Sequence, residues 1–305
     1  MSQTHNSSTA HNSVPNYYVP HQSKWPIIAT IAVFCLLYGM ASMLHSSQVG
    51  NQSSLPSWIM LSGLGLTIYM LYGWFSNVVA ESQKGLYSLQ LDRSFRMGMA
   101  WFIFSEVMFF AAFFGALFYA RVLAVPWLGG EGDKGISNML WQEFSAQWPL
   151  LTNPDPELFP GPSGTIPAWQ IPFLNTVILV ASSFTLTLSH HALKENNRTR
   201  CAQWLALTIG LGVVFLGFQI HEYQLAYSEL QLTLSSGIYG STFFMLTGFH
   251  GAHVTIGTIM LIVMLIRILK GHFNKDKHFG FEASAWYWHF VDVVWLLLFT
   301  FVYVL

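Results

Sequence analysis

Two histidines, His250 and His253, stand three residues apart in "GFHGAHV", inside a long apolar run. On a helix this spacing places both imidazoles on one face, about one turn apart. The pair has two interpretations: ligands of a haem or metal, or buried rings that hydrogen-bond within the protein. A closed metal site normally has three or four ligands, each with a hydrogen-bonded partner, and this segment offers two. The glycines beside them, Gly248 and Gly251, predict close approach of a neighbouring helix.

Three further ionisable residues lie where the sequence predicts the interior of a membrane. Glu106, in "WFIFSEVMFF", is either a proton-exchanging carboxyl or a neutral acid that hydrogen-bonds across helices. His289 and Asp292, in "YWHFVDVVW", predict an imidazole–carboxylate contact that serves as a proton relay or fixes helix packing. Ionisable groups at bilayer depth are rare and usually face a bundle interior or a partner.

Basic and aromatic groups follow one apolar run in "RILKGHFNKDKHF". Arg267, Lys270, His272 and Lys277 are suited to anionic lipid head groups. The alternative is that they only extend to the aqueous interface. Both interpretations stay open from the residues alone.

Other candidate sites have little support. His190 with His191, and His221 with Glu222, are predicted at span ends, and neither pair has further spacing that requires a metal. No Gly-rich phosphate loop, nucleophile triad or dinucleotide fingerprint occurs in a suitable context. The two cysteines lie within or beside apolar runs, so neither a disulfide framework nor a thiolate metal cluster is expected.

The composition is that of a membrane protein. Hydrophobic residues make up 53% of the 305 residues and charged residues 9%, against roughly 25% charged in soluble domains. Aromatic residues reach 16%, with 12 Trp, which suits rings at both lipid–water interfaces. The formal net charge of -1, without a clustered basic face, excludes nucleic-acid binding.

Seven stretches satisfy the requirement of about 20 apolar residues per membrane-spanning helix. The predicted spans are 25–44, 58–80, 97–120, 173–188, 201–220, 238–266 and 283–305. Residues 1–24 lack the basic start, apolar stretch and cleavage site of a secretory signal. We therefore expect a cytoplasmic N-terminal tail, followed by a first span that is retained.

Lys and Arg set the predicted orientation, because short cytoplasmic loops collect them. All of the 13 Lys and Arg residues except Arg121 and Lys134 fall on one side of the predicted bundle. The N-terminus is therefore predicted inside and the C-terminus outside. The long connection 121–172, which holds most of the 12 prolines, falls on the outer side. A loop of this length is often functional, and we expect it to cover a partner's outer face.

Four segments carry a resemblance to a known family. They are "FIFSEVMFF" (102–110), "PFLNTVILVASS" (172–183), "YGSTFFMLTGFHGAHV" (239–254) and "HFGFEASAWYWHFVDVVWL" (278–296). Together they resemble subunit III of haem-copper cytochrome c oxidases over most of the chain. The resemblance implies an all-α membrane fold of seven helices, in which a two-helix bundle (25–80) and a five-helix bundle (97–305) enclose a V-shaped cleft filled by phospholipids.

The resemblance also implies partners and cofactors. Family members pack against catalytic subunit I, which holds the haems and the copper of the oxygen-reducing centre. Subunit II carries the copper that accepts electrons from cytochrome c, and a small subunit IV is a further expected partner. Subunit III itself carries no haem and no metal, so the resemblance favours a structural role for His250 and His253. No catalytic residue is expected in this chain.

Individual residues match positions of the family. Glu106 matches its intramembrane glutamate, which is associated with proton uptake and oxygen entry. Another set matches positions that line phospholipid sites in related proteins. These residues are Tyr72, Trp74, Glu81, Arg96, Tyr223, Arg267, Lys270 and His272.

The predicted function is that of a non-redox accessory subunit of a proton-pumping cytochrome c oxidase in the aerobic respiratory chain. It would stabilise subunit I and support proton uptake and oxygen access. An outer loop longer than in mitochondrial relatives favours a bacterial inner membrane over a mitochondrial one. Three alternatives stay open. They are subunit III of a quinol oxidase, whose members typically have five spans, a proton-coupled transporter using Glu106, His289 and Asp292, and a membrane cytochrome with haem on His250 and His253.

Overall fold

The computed structural model describes residues 18–19, 22–49, 53–275 and 277–305, with only the backbone at 47 and 48. Most of the predicted N-terminal tail, residues 1–24, lies outside the described residues. Where the chain is described, its regular secondary structure is entirely helical. The helices are α1 (Trp25–Val49), α2 (Leu55–Gln83), α3 (Leu89–Phe118), α4 (Val125–Leu128), α5 (Ile171–Lys194), α6 (Arg198–Ser228), α7 (Ile238–Leu269) and α8 (Phe279–Leu298).

All of these helices except α4 are long and apolar enough to cross a membrane, so the predicted number of seven spans is confirmed. The helices generally extend beyond the predicted spans, because backbone hydrogen bonding continues where the side chains become polar. The fourth span shows one such difference. It was predicted to end at residue 188, whereas α5 continues to Lys194. This polar end packs on α6, where the hydroxyl of Ser189 donates to the carbonyl of Cys201 at 2.8 Å.

The chain divides into two compact units, Met1–Phe95 and Arg96–Leu305. In the first unit, α1 and α2 pack against each other where glycines remove side-chain bulk. A Cβ atom added at Gly63 of α2 would lie 2.5 Å from the backbone nitrogen of Leu36 in α1. Gly39 of α1 is as tightly placed against the backbone of Met60 in α2. Each helix therefore accommodates the other at a glycine.

Replacing Gly63 by leucine should push α1 and α2 apart and destabilise the first unit by about 1–3 kcal/mol, the usual penalty of overpacking. The measurement is the midpoint of thermal unfolding of the purified protein in detergent. Gly65→Leu is the matched control, because a Cβ at Gly65 meets no described atom within 4 Å. Equal midpoints for the two variants would contradict the close contact at Gly63.

The second unit is organised around Trp288, which is fully buried. Helices α5 to α8 pack in sequence, and α8 returns to contact α5. A Cβ at Gly212 of α6 would lie 2.7 Å from the indole atom Cη2, and one at Gly257 of α7 would lie 3.0 Å from Cε3. The indole Nε1–H donates to the hydroxyl of Ser182 in α5 at 3.0 Å. A single side chain of α8 thus contacts three other helices.

Small hydroxyl side chains at other positions along α5 form hydrogen bonds with the neighbouring helices. The indole Nε1–H of Trp295 donates to Oγ1 of Thr176 at 2.9 Å. The hydroxyls of Thr185 in α5 and Thr208 in α6 lie 2.8 Å apart. Interhelical hydrogen bonds of this kind average about 0.6 kcal/mol in membrane proteins, so they add to close packing rather than replace it.

The glycines beside the two histidines do not have the predicted role. A Cβ at Gly248 would meet only the hydroxyl of Tyr223, at 3.7 Å, and one at Gly251 would meet no described atom within 4 Å. The prediction of close helix approach at these positions is therefore wrong within the described chain. Gly212 and Gly257 do have tight contacts, because the large ring of Trp288 occupies the space between helices there.

The connection 121–172 is folded rather than irregular throughout. It contains part of a π-helical segment, Tyr119–Ala124, then α4 and a 3-10 segment, Gly135–Leu140. The side-chain amide of Asn153 donates to the carbonyl of Phe159 at 2.8 Å and to that of Ser236 at 3.3 Å. Because Ser236 precedes α7, this amide fixes the connection to the turn between α6 and α7.

Candidate functional site

His250 is a neutral, enclosed imidazole that binds the backbone of α8. Its Nε2 lies 3.1 Å from the carbonyl oxygen of Val291. A carbonyl only accepts, so Nε2 carries the hydrogen. Its Nδ1 is buried without a hydrogen-bond partner. The ring packs against Phe215 and Trp295, with centroids 5.8 and 5.1 Å away. An imidazole in such aromatic surroundings is best accommodated without charge.

His253 bridges α7 to α3 through Glu106. Its Nδ1 lies 2.6 Å from the carbonyl oxygen of Phe249, so Nδ1 carries a hydrogen. Its Nε2 lies 2.9 Å from Oε2 of Glu106. Either the protonated acid donates to the imidazole, or the imidazolium donates to the carboxylate. The pair has no net charge in both arrangements, which lowers the free energy of placing two ionisable groups within the membrane.

Aromatic rings surround this Glu106–His253 pair. Phe110 meets the imidazole with centroids 5.0 Å apart, and Tyr287 of α8 stacks on it at 6.3 Å. Phe109 is also nearby, at 5.9 Å. The exposed fractions of the two side chains are 13% for His253 and 21% for Glu106. The pair is therefore largely enclosed by α3, α7 and α8, with a small part of the carboxyl still accessible.

The two histidines do not converge on a common ligand. His250 binds α8 at Val291, and His253 binds α3 at Glu106, although the helical spacing predicted that they share a face. In the part of the chain that the structure describes, the side chains close enough to share a metal ion are elsewhere, at His190, His278 and Glu282. The arrangement of His250 and His253 thus favours hydrogen bonding over ligation.

His289 and Asp292 interact electrostatically, as their spacing predicts. No hydrogen bond or ion pair joins the two among the described side chains. Asp292 is buried near Ser183 of α5, whereas His289 is only half-buried. Oδ1 of Asp292 and Oγ of Ser183 both lack a hydrogen-bond partner among the described residues.

Glu222 is a buried acid that the sequence analysis placed at an interface. It is 1% exposed. The hydroxyl of Tyr303 donates to Oε1 of Glu222 at 2.6 Å, and the amide of Gln219 donates to the same oxygen at 3.2 Å. The predicted span ended at residue 220, but α6 continues to Ser228, which places Glu222 inside the helix. The one sequence signal was the i, i+3 spacing of Gln219 and Glu222.

The predicted lipid-site residues of the first unit lie at the surface, except for Glu81. Tyr72 and Trp74 are exposed, and the indole of Trp74 stacks on Phe75 with centroids 5.4 Å apart. Glu81 accepts a hydrogen bond from the hydroxyl of Tyr87 at 3.0 Å. These positions suit an amphipathic ligand that contacts α2.

The predicted lipid-site residues of the second unit fall into two groups. Arg96 forms an ion pair with Glu282, and the guanidinium of Arg267 lies 4.2 Å from the ring of Phe273. Tyr223 is separate from them, because its hydroxyl lies 2.6 Å from Oγ1 of Thr247, about 30 Å along α7 from Arg267.

Lys270 and His272 lie in the connection between α7 and α8. Lys270 directly follows α7 and is exposed. Partial burial lowers the pKa of His272, and the cations of Arg267 and Lys270 lower it further. Since an ordinary histidine has a pKa of about 6.5, His272 is mainly neutral at pH 7.

In the described part of the chain, seven helices long and apolar enough to cross a membrane, with polar groups paired between them, define an integral membrane protein. A family model described as cytochrome c oxidase subunit III matches residues 15–151 and 155–305. The chain belongs to the cytochrome c oxidase subunit III family, as its sequence motifs predicted, and is therefore a component of the cytochrome c oxidase complex.

Curated relatives share this similarity over nearly their whole length. A protein named cytochrome c oxidase subunit 3 from Pongo abelii is 40% identical over 290 residues, which cover 94% of this chain and 96% of the relative. A protein of the same name from Felis catus is 39% identical over 292 residues, or 94% and 96% of the two chains. The one from Drosophila melanogaster is 39% identical over 298 residues, or 97% and 98%.

Proposed function

We propose that this chain is the non-redox accessory subunit of a proton-pumping cytochrome c oxidase in an aerobic respiratory chain. It stabilises catalytic subunit I and supports proton uptake and oxygen access. The haems and copper belong to subunits I and II, a small subunit IV is a further partner, and electrons arrive from cytochrome c through the complex. Phospholipids bind at Arg96, Arg267 and the other lipid-site residues named above.

The Glu106–His253 pair is the observation that carries this proposal. It holds one exchangeable proton within the membrane, and both nitrogens of His253 are engaged. His250 uses Nε2 on a backbone carbonyl and is enclosed by rings. These contacts support a role of the two histidines in proton binding and helix packing rather than in binding a redox centre.

An open face of α6 supports docking on another subunit. Gly210 and Gly217 are seven residues apart and therefore lie on nearly the same face of the helix. A Cβ at either position would meet no described atom within 4 Å. Small residues on an exposed membrane helix allow a partner helix to approach closely. This face is suited to a helix of subunit I.

The proposed location is a bacterial inner membrane, with the N-terminus inside and the C-terminus outside. The distribution of Lys and Arg supports this orientation. It places the connection 121–172 on the outer side, where its folded form is suited to contact the outer face of a partner.

The experiment is to tag this chain, extract the complex in a mild detergent and record reduced-minus-oxidised spectra and metal content. The same measurements are repeated after the chain is stripped from its partners. We expect haem and copper to leave with two larger subunits. We also expect the remaining complex to inactivate faster during turnover and to take up protons more slowly.

Two results would overturn the proposal. Haem that stays with the isolated chain would make His250 and His253 ligand candidates again. Proton transport by the isolated chain in vesicles would instead identify an independent transporter. His253→Ala provides the matched variant, since it should remove the absorption band of a haem cytochrome but only loosen assembly of an accessory subunit.

A further inference from the structure

Three ligand-type side chains converge where α5 ends and α8 begins. His190 lies in the last turns of α5, His278 directly precedes α8, and Glu282 is in its first turn. Oε1 of Glu282 lies 3.3 Å from Nε2 of His278 and 3.7 Å from Nε2 of His190. The three ligand atoms all lie within 4.8 Å of one another. We propose that this cluster binds a divalent transition-metal ion, with zinc as the representative case.

The spacing of the ligand atoms fits a small tetrahedral ion. Zinc binds imidazole nitrogen and carboxylate oxygen at about 2.0–2.2 Å, so two ligands of a tetrahedral site lie about 3.3 Å apart. The two distances from Glu282, 3.3 and 3.7 Å, are close to this value. A small inward movement of the His190 ring completes the geometry. Three protein ligands leave a fourth position for water.

The hydrogen bonds of His278 direct a lone pair toward the cluster. Its Nδ1 lies 3.1 Å from the carbonyl oxygen of Asn274, so Nδ1 carries the hydrogen. In a neutral ring Nε2 is then an acceptor that faces Glu282 and His190. A ligating histidine typically has this arrangement, with the second nitrogen donating to a carbonyl.

Unpartnered nitrogens provide an independent observation. Nε2 of His278 and Nε2 of His190 are both buried without a hydrogen-bond partner among the described residues. The side chain of His278 is 9% exposed, so its free lone pair is shielded from solvent. Buried polar atoms usually have partners, and a bound metal ion would provide one for both nitrogens together.

The charges around the cluster indicate which ion fits. Arg96 pairs with Glu282 through Oε2, which leaves Oε1 for the metal. The positive charge of this guanidinium also repels a metal ion bound at the cluster. Two imidazoles and one carboxylate therefore favour an ion with strong affinity for nitrogen, such as Zn²⁺, over Mg²⁺ or Ca²⁺, which prefer oxygen ligands.

A metal at this position would tie the end of α5 to the start of α8. The sequence analysis predicted no metal in this chain, because His190 with His191 had no further ligand at suitable spacing. The fold brings the missing ligands from a distant part of the sequence. This site is independent of the Glu106–His253 pair and of the proposed accessory role.

The test uses the intact oxidase complex, purified, treated with a chelator and then incubated with micromolar zinc. Zinc per haem is measured by mass spectrometry after unbound metal is removed. His278→Asn is the main variant, because the asparagine amide can still donate to the carbonyl of Asn274 but lacks the ligating nitrogen. His191→Asn is the matched control, since His191 is exposed and adjacent to the cluster.

We expect the wild-type complex and His191→Asn to retain one more zinc ion per complex than His278→Asn. X-ray absorption of that zinc should show nitrogen and oxygen neighbours at about 2.0–2.2 Å. Equal zinc content in all three proteins would overturn the proposal, and so would equal loss in His191→Asn. If His278→Asn does not assemble, Glu282→Gln provides the same comparison.

Discussion

Replacing Trp288 by alanine should destabilise the protein by about 3–5 kcal/mol, the largest effect expected from a single core substitution. Its indole is fully buried and fits between Gly212 of α6 and Gly257 of α7. Truncation leaves a cavity that these glycines cannot fill, since neither has a side chain to move into it. The measurement is the free energy of unfolding in detergent, from denaturant titration of the purified protein.

Two controls separate the cavity from other effects of the change. Trp286→Ala removes an equally large ring from the same helix, but Trp286 is exposed, so little destabilisation is expected. Trp288→Phe keeps most of the ring and loses the hydrogen bond to Ser182. The loss of this hydrogen bond should lower the free energy of unfolding by about 0.6–1.7 kcal/mol. Equal destabilisation by Trp286→Ala and Trp288→Ala would show that the glycine-lined slot is not the source of stability.

The second large effect is expected at the Glu106–His253 pair. In His253→Ala, Glu106 loses the partner at 2.9 Å, and leaving this polar group without its partner should destabilise the protein by about 1–3 kcal/mol. Infrared difference spectra between the wild-type complex and His253→Ala should show a shift of the Glu106 carboxyl band, because its hydrogen-bond partner is gone. Glu106→Gln should remove that band and so identify its source.

A double-mutant cycle measures the coupling within the pair. Glu106→Ala, His253→Ala and the double variant should show a coupling free energy of about 1–2 kcal/mol, within the range for contacting residues. His250→Ala is the matched control. It removes the contact with Val291 and should destabilise the protein without changing the Glu106 band. Additive effects of Glu106→Ala and His253→Ala would contradict the shared proton.

The parts of the fold that were predictable follow from local hydropathy. A bilayer requires one apolar run per helix, so seven runs predict seven helices whatever their packing. The end of α5 was misplaced because hydropathy reports the apolar core, whereas the hydrogen bond of Ser189 to α6 depends on tertiary contacts. The family motifs identified the chain because they are long and include intramembrane polar residues such as Glu106 and His253.

The pairing of polar residues was not predictable from spacing. Glu106 and His253 lie on different helices, and no local period connects them. His289 and Asp292 had a favourable local spacing and interact electrostatically, but no hydrogen bond joins them among the described side chains. Helical periodicity therefore identified which residues needed partners and did not identify the partners themselves.

The mutual glycine contacts of α1 and α2 bear on how the protein is made. These contacts involve only residues before Phe95, within the first compact unit. At about 5–20 residues per second, the ribosome needs roughly 10–40 s to synthesise Arg96–Leu305. The two helices can leave the insertion machinery and pack as a hairpin in that interval. The order of synthesis thus matches the order in which the chain can acquire stable structure.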